Sequence, residues 1–226
     1  MAGFVLIPGG WKGGWVYEPI TRRLRAAGHA VWPLTLRGLG DDDDPAPANL
    51  DAHIGEVCEL IRRADLTDLQ LCGHSYGGMV ITGVADLMPD RIDRLVYIDA
   101  YVPDDGDSAW SLTSDGFRAR FVAGARADGH TVAPPPGFDP RARPHPVGSF
   151  LQAVRLTGAH RQVPRRTLVH LSGWTETPFT AQYQRLSEDP DWQVHVIDCG
   201  HNVMAERPDE LVRVLTDAST AKTNSP

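Results

Sequence analysis

The chain has 226 residues, a formal net charge of -7 and 42% hydrophobic residues, which suits one globular domain over residues 1–226 with a substantial buried core. The acidic balance argues against nucleic acid or an anionic membrane as the main partner. No apolar run approaches the roughly 20 residues that a membrane-spanning helix needs, so no part of the chain is expected to cross a bilayer.

The cysteines and the first residues bear on the cellular compartment. Cys58, Cys72 and Cys199 are odd in number and show neither a disulfide framework nor metal-ligand spacing. Residues 1–3 carry no positively charged region before the apolar residues that follow, so we expect no signal peptide. Together these features predict a cytoplasmic protein without a metal ion.

Short apolar runs alternate with helical patterns along most of the chain. The predicted strands lie at 4–7, 31–34, 69–72, 95–99, 167–171 and 193–197, and the predicted helices at about 16–27, 49–64, 76–88, 179–187 and 207–217. This alternation is typical of βαβ units, so we predict an α/β fold with an open, mostly parallel, doubly wound sheet of about six strands. Ligands bind such sheets beyond the carboxyl ends of the strands.

One segment, at about 103–164, breaks the alternation. It is rich in Pro, Gly, Arg and Ala and lies between the fourth and fifth predicted strands. A linker between two domains is the alternative, but two predicted strands of the sheet still follow it. We therefore predict a small cap inserted into a single domain. Its aromatic residues either line a pocket or form the cap's own core, and they include Trp110, Phe117, Phe121, Phe138 and Phe150.

The sequence Gly-His-Ser-Tyr-Gly at 73–77 places a serine between a predicted strand and a predicted helix. A serine on such a sharp turn adopts a cramped backbone geometry, so glycines are needed on either side of it. Its hydroxyl then projects above the sheet, and the start of the next helix favours negative charge there. Ser75 is therefore the candidate nucleophile.

A serine nucleophile needs a base within hydrogen-bond reach, and histidine is the usual one. Two histidines accompany the last predicted strand. His195 lies inside the strand, whereas His201 follows both the strand and a glycine that forms a turn. We predict His201 as the base. His74, next to Ser75, is expected to point away from the reaction.

Acyl transfer also needs two backbone N–H groups that face the developing oxyanion. The residue after the nucleophile, Tyr76, supplies one. The glycine-rich loop at 8–15 is expected to supply the other. We assign it to Gly10, with Trp11 as the alternative, and the Trp11 side chain is a candidate for substrate binding.

The acid that orients the histidine has two candidates, because residues 172–175 after the fifth predicted strand contain no carboxylate. Glu176 lies slightly later in that loop. Asp99 ends the fourth predicted strand in a strongly apolar run, where a carboxylate needs a partner to offset its burial. We favour Asp99, and Glu176 remains the alternative.

The opening residues 5–15 (Val-Leu-Ile-Pro-Gly-Gly-Trp-Lys-Gly-Gly-Trp), the Gly-His-Ser-Tyr-Gly turn and the late Gly-His pair resemble the α/β-hydrolase superfamily. Within it they are similar to the plant methylesterase and hydroxynitrile lyase group and its bacterial esterase relatives. The resemblance implies an α/β-hydrolase fold, with Ser75 as nucleophile, His201 as base, and Gly10 and Tyr76 as oxyanion donors.

Two departures from that family matter. The acid that usually follows the penultimate strand is missing. The hydroxynitrile lyases also carry a lysine after the catalytic histidine, which holds the charge of cyanide, and a threonine in the first loop. Asn202 and Gly9 stand at those places here, so no cation is expected to stabilise a departing anion.

We therefore predict a serine carboxylesterase that cleaves a small, fairly apolar ester through an acyl-enzyme, without a metal or an organic cofactor. Its partner would be the small-molecule ester alone. Three alternatives remain: a cyclisation, acyl-transfer or lyase step on the same residues, a ligand-binding module on a hydrolase scaffold, and peptide hydrolysis. The sequence specifies neither the substrate nor the oligomeric state.

Overall fold

The computed structural model describes residues 2–41, 44–45, 48–175 and 177–217. Within these ranges six parallel strands form one sheet in the order β2-β1-β3-β4-β7-β8, and β5 pairs with β6 in a separate antiparallel ribbon. The strands are β1 (Gly3–Ile7), β2 (Ala30–Pro33), β3 (Leu69–His74), β4 (Ile92–Ile98), β5 (Thr131–Val132), β6 (His145–Pro146), β7 (Arg165–Leu171) and β8 (Trp192–Ile197).

Helices connect the strands and cover the sheet. They are α1 (Glu18–Ala26), α2 (Leu50–Arg63), α3 (Gly77–Leu87), α4 (Ala109–Leu112), α5 (Asp115–Gly124), α6 (Val147–Leu151), α7 (Thr180–Ser187), α8 (Val203–Glu206) and α9 (Pro208–Thr216). Each of the six predicted strands overlaps one strand of the sheet, so the prediction of a doubly wound α/β fold is confirmed.

The two faces of the sheet pack on different helices, because successive side chains of a strand point to opposite faces. In β1, Val5 and Ile7 pack with α2 and α3, while Phe4 and Leu6 pack with α1 and α9. All four side chains are fully buried. Strands buried on both faces read as unbroken apolar runs, which is why the sequence revealed them.

The chain between β4 and β7 carries α4, α5, the β5–β6 ribbon and α6. Phe121 of α5 and Phe150 of α6 stack in parallel with ring centroids 4.4 Å apart, and both belong to the same apolar core as Val5 and Ile7. The insertion therefore shares its core with the sheet. Its role as a cap with limits at about 103–164 stays a prediction.

No helix within the described ranges is both long enough and apolar enough to span a membrane.

Candidate active site

The turn between β3 and α3 holds Ser75 in a left-handed conformation, with φ of 52°. Close packing explains the glycines around it. A Cβ on Gly77 would lie 2.7 Å from the carbonyl oxygen of Ile7, and one on Gly78 would lie 2.0 Å from that of Tyr101. The third glycine, Gly73, would bring a Cβ within 2.5 Å of the Gly77 oxygen. Small residues thus let the turn sit against two neighbouring strand ends.

Positive φ values concentrate at the predicted site. Among the described residues other than glycine, five have φ between 43° and 63°, and three of these are Trp11, Ser75 and Asp99. The other two are aspartates, which tolerate this conformation better than most residues do. A residue other than glycine held in this conformation costs about 1–3 kcal/mol, so clustered outliers point to a functional site.

His201 follows β8, and its Nδ1 lies 2.7 Å from Oδ2 of Asp99 at the end of β4. Asp99 is fully buried in its side chain, whereas the His201 side chain is 25% exposed. Burial raises the pKa of Asp99, and His170, whose Nδ1 lies 3.8 Å from the other carboxylate oxygen, opposes the rise. Burial and then the charge of Lys12 hold the pKa of His201 below its usual value.

A neutral His201 that donates from Nδ1 to the carboxylate keeps a lone pair on Nε2. Ser75 and His201 line one cavity, although no hydrogen bond joins the Ser75 hydroxyl to His201 among the described residues. Such bonds are often long before substrate arrives. The structure thus brings together the three side chains that the sequence suggested, while Glu176 lies outside the described residues.

His74 contacts the candidate base His201, although the sequence suggested that its side chain points away from the reaction. Its Nε2 donates to the carbonyl oxygen of His201 at 2.8 Å, and its ring lies 4.4 Å from the His201 ring. The Trp174 ring also packs against His201, with ring centroids 4.1 Å apart. The loop after β7 thus contributes an aromatic wall where sequence reasoning looked for a carboxylate.

The candidate oxyanion donors have free N–H groups. Neither the Gly10 N–H nor the Tyr76 N–H donates to another protein group within the part of the chain that is described. The N–H of Trp11, by contrast, donates to Nδ1 of His145 at 3.1 Å. Of the two donors that the sequence suggested in the first loop, Trp11 is therefore occupied and Gly10 is available.

A buried histidine network supports both donors. His145 accepts from Trp11 at Nδ1, so Nε2 carries the proton and donates to the Ser149 hydroxyl at 2.8 Å. His53 lies 2.8 Å from the Arg37 carbonyl oxygen through Nε2, so its Nδ1 accepts from the Tyr76 hydroxyl at 2.8 Å. Burial lowers the pKa of both imidazoles, to about 4 for His53, so both are neutral at pH 7.

The cavity in front of Ser75 measures about 450 Å³, and seven Trp, Tyr and Phe side chains stand in its wall beside several charged ones. The insertion provides Phe117 and Phe138, and the first loop provides Trp11. The Trp11 indole Nε1 donates to the Val132 carbonyl oxygen at 2.7 Å, which holds the ring against the β5–β6 ribbon. A small apolar ligand suits this lining.

Lys12 is a cation that sequence reasoning did not consider when it predicted that no cation stabilises a departing anion. Its side chain lines the same cavity as Ser75 and His201. Burial lowers the pKa of Lys12 to about 8, and Asp139 opposes that shift. The lysine comes from the glycine-rich first loop rather than from the residue after His201. The signal in the sequence that could have identified Lys12 as a residue of the site was its position in this loop, between Trp11 and Gly13.

Within the described ranges, no group of three or more His, Cys, Asp or Glu side chains is placed to hold a metal ion. The site is built instead from a strained serine, a histidine–carboxylate pair and free backbone N–H groups. That combination is suited to nucleophilic attack on an acyl carbon.

Comparison with known proteins identifies the family of the chain. Residues 4–214 match the model of the alpha/beta hydrolase family. The chain is 36% identical over 238 aligned positions to a carbendazim hydrolyzing esterase of a Nocardioides species, and the match covers 95% of this chain and 98% of that protein. An alpha-hydroxynitrile lyase of Arabidopsis thaliana is 31% identical over 104 positions, which cover 45% of this chain and 40% of the lyase.

Among solved structures, an extracellular alpha/beta-hydrolase from a Paenibacillus species superposes with a TM-score of 0.84 at 23% identity, covering 95% of this chain and 98% of the other. This likeness shows the shared fold. The relatives confirm the predicted resemblance to the family that includes plant hydroxynitrile lyases and bacterial esterases.

Proposed function

We propose that this chain, which belongs to the alpha/beta hydrolase family and is a carboxylesterase-like enzyme, hydrolyses a small, fairly apolar carboxylic ester with Ser75, His201 and Asp99. The observation that carries the proposal is the 2.7 Å contact between His201 Nδ1 and Asp99 Oδ2, at the edge of the sheet where Ser75 opens into the same cavity.

In the proposed mechanism Ser75 Oγ attacks the ester carbonyl carbon while His201 Nε2 takes the hydroxyl proton. Asp99 accepts a hydrogen bond from Nδ1 and stabilises the imidazolium that forms. The N–H groups of Gly10 and Tyr76 bind the oxyanion of the tetrahedral intermediate. The intermediate collapses to an acyl-enzyme, and the alcohol leaves with the proton from His201.

Water then completes the reaction. His201 takes a proton from a water molecule, whose oxygen attacks the acyl carbon. The second tetrahedral intermediate uses the same two N–H donors. Its collapse returns the proton to Ser75 and releases the carboxylic acid.

The lining of the cavity supports an ester with an aromatic or otherwise apolar body. Phe117, Phe138 and Trp174 present rings around a space of about 450 Å³, which holds a small molecule rather than a polymer segment. The similar Nocardioides protein is named for the hydrolysis of carbendazim. We extend to this chain only the class of small esters and related acyl derivatives.

The test is release of p-nitrophenol from its acetate and butyrate esters, together with labelling by a fluorophosphonate and mass spectrometric location of the label. We expect turnover and a label on Ser75, both lost in Ser75→Ala. The matched control is Ser172→Ala, which removes an exposed serine hydroxyl just after β7 and should keep the activity.

Two results would contradict the proposal in different ways. Neither turnover nor labelling would favour a ligand-binding module on a hydrolase scaffold. A label on Ser75 without hydrolysis of any ester would favour a non-hydrolytic reaction on the same residues.

A further inference from the structure

Lys12 places a partly buried ammonium group in the cavity that contains the candidate nucleophile. It lies two residues after Gly10, in the loop that faces Ser75, and its side chain lines the cavity with Ser75 and His201. Its charge acts on both His201 and His74, since it contributes to lowering the pKa of each imidazole. The cation is therefore inside the cavity and acts electrostatically on the candidate base.

This cation has no ion-pair partner within 4 Å among the described residues. The nearby carboxylate of Asp139 accepts two hydrogen bonds from Arg141, from Nε at 2.9 Å and from Nη2 at 2.7 Å. Glu206 also lines the cavity, and its carboxylate accepts from the Gly200 N–H at 2.8 Å. The contact that Lys12 does make is with the Phe138 ring, whose centroid is 5.8 Å from Nζ.

A partly dehydrated ammonium group without a carboxylate within 4 Å attracts anions more strongly than an exposed one does, because the local dielectric is low. We propose that Lys12 binds a carboxylate on the substrate, so that the preferred ester is a monoanion whose apolar body lies among the aromatic rings. This inference rests on the proposed esterase function, because it assigns one more group of the substrate to the same cavity.

Arg120 is the other cation of the cavity lining. Its side chain is exposed, and its guanidinium group lies over the Phe117 ring at 4.9 Å from the centroid. Water and salt screen an exposed charge. Arg120 therefore serves as the matched control for removal of a positive charge from the cavity.

The test uses Ser75→Ala protein, which cannot form the acyl-enzyme, and two esters of almost equal size: 4-acetoxybenzoate, which carries a carboxylate, and 4-acetoxybenzamide, which carries a neutral amide in its place. Calorimetry gives the dissociation constant of each. We expect the benzoate to bind about tenfold more tightly, a difference of about 1.4 kcal/mol. Adding Lys12→Met should reduce the preference to below about twofold, while adding Arg120→Met should leave it.

Equal affinity for the two esters in the Ser75→Ala protein would overturn the inference, as would a preference that survives Lys12→Met or disappears with Arg120→Met alone. Thermal melting of each variant identifies any loss of folding. Turnover of the neutral ester by protein with Ser75 intact tests the proposed function separately. Serine-dependent turnover without a carboxylate preference defeats this inference alone, and a carboxylate preference without turnover defeats the esterase proposal alone.

Discussion

The backbone N–H of Trp11 donates a hydrogen bond to Nδ1 of His145, 134 residues later in the chain. The bond joins the loop after β1 to the ribbon of the insertion. It also fixes which N–H groups of that loop remain free, since it occupies Trp11 and leaves Gly10. His145 itself is held by Ser149 and by the Phe150 ring, stacked 4.1 Å away.

His145→Phe should therefore impair the chemical step. Phenylalanine keeps a ring against Phe150 but cannot accept from Trp11, so the first loop loses the bond that sets its backbone. We expect kcat to fall about 10- to 100-fold with little change in KM, because a displaced oxyanion donor acts on the transition state. The Ki of a boronic acid that forms a tetrahedral serine adduct should rise in parallel. His130→Phe, an exposed histidine just before β5, is the control, and equal kinetics in both variants would refute the role.

Lys12→Met should change the pH dependence of kcat/KM. His201 works as a base only when neutral, so activity is lost as the pH falls through its pKa. Burial and the Lys12 charge lower that pKa, which keeps His201 active in more acidic solution. Removing the charge should move the acid limb to higher pH. The other titratable groups near His201 and Lys12, which are Asp99, His74 and Asp139, are unchanged in this variant.

The control for this profile is Arg63→Met, which removes an exposed positive charge from the surface of α2. It should leave the acid limb where it is. An unchanged limb in Lys12→Met, or a shift to lower pH, would show that Lys12 does not act on His201.

Gly78→Ala should strongly destabilise the protein, because the added Cβ would lie 2.0 Å from the Tyr101 carbonyl oxygen. Relief requires the turn and the end of β4 to separate, and we expect a loss of about 3 kcal/mol or more. Gly55→Ala is the matched control. A Cβ there meets nothing within 4 Å in α2, so it should gain about 0.5–1 kcal/mol from helix propensity. Urea unfolding gives both values, and similar effects of the two changes would contradict the packing described.

The sheet and part of the site could be predicted from the sequence, because their signals lie in short stretches of neighbouring residues. Strands such as β1 are apolar on both faces, so their signal is local. Ser75 and His201 occupy positions fixed by neighbouring glycines, which is also a local signal. The prediction of Asp99 over Glu176 depended on burial of a carboxylate in an apolar strand, and it stays a prediction.

The contacts that sequence reasoning missed are long-range. His145 lies between two prolines in the insertion, and nothing near it in the sequence indicates that it meets Trp11. His74 bonds to the His201 carbonyl oxygen across 127 positions. Lys12 was visible in the first loop, but its direction into the cavity depends on how that loop folds against Phe138.

Asp86→Asn should release the end of the insertion from α3. The Asp86 carboxylate accepts from Thr157, Gly158 and His160, at distances from 2.6 to 3.1 Å. An amide presents an NH₂ group to donors, so we expect a loss of about 2 kcal/mol. Exposed Asp115→Asn in α5 is the control and should cost little.

The same carboxylate predicts how stability depends on pH. Burial raises the pKa of Asp86, but the hydrogen bonds from Thr157 and His160 outweigh it and hold the pKa well below the usual value. Asp86 therefore stabilises the fold above about pH 4, the pKa of an unfolded aspartate, and this contribution is lost as the pH falls towards the folded value. Urea titrations at pH 7 and pH 3 should show a smaller difference between wild type and Asp86→Asn at pH 3. An equal difference at both pH values would contradict this role.

The most direct test of the proposed site is kcat/KM for p-nitrophenyl acetate in Asp99→Asn and Glu176→Gln. Asp99 holds Nδ1 of His201 at 2.7 Å, and an amide in its place disturbs the tautomer that leaves Nε2 free. The account predicts a loss of about 10³- to 10⁴-fold in Asp99→Asn and a change of less than about threefold in Glu176→Gln. Nearly full activity in Asp99→Asn, with a collapse in Glu176→Gln, would contradict it.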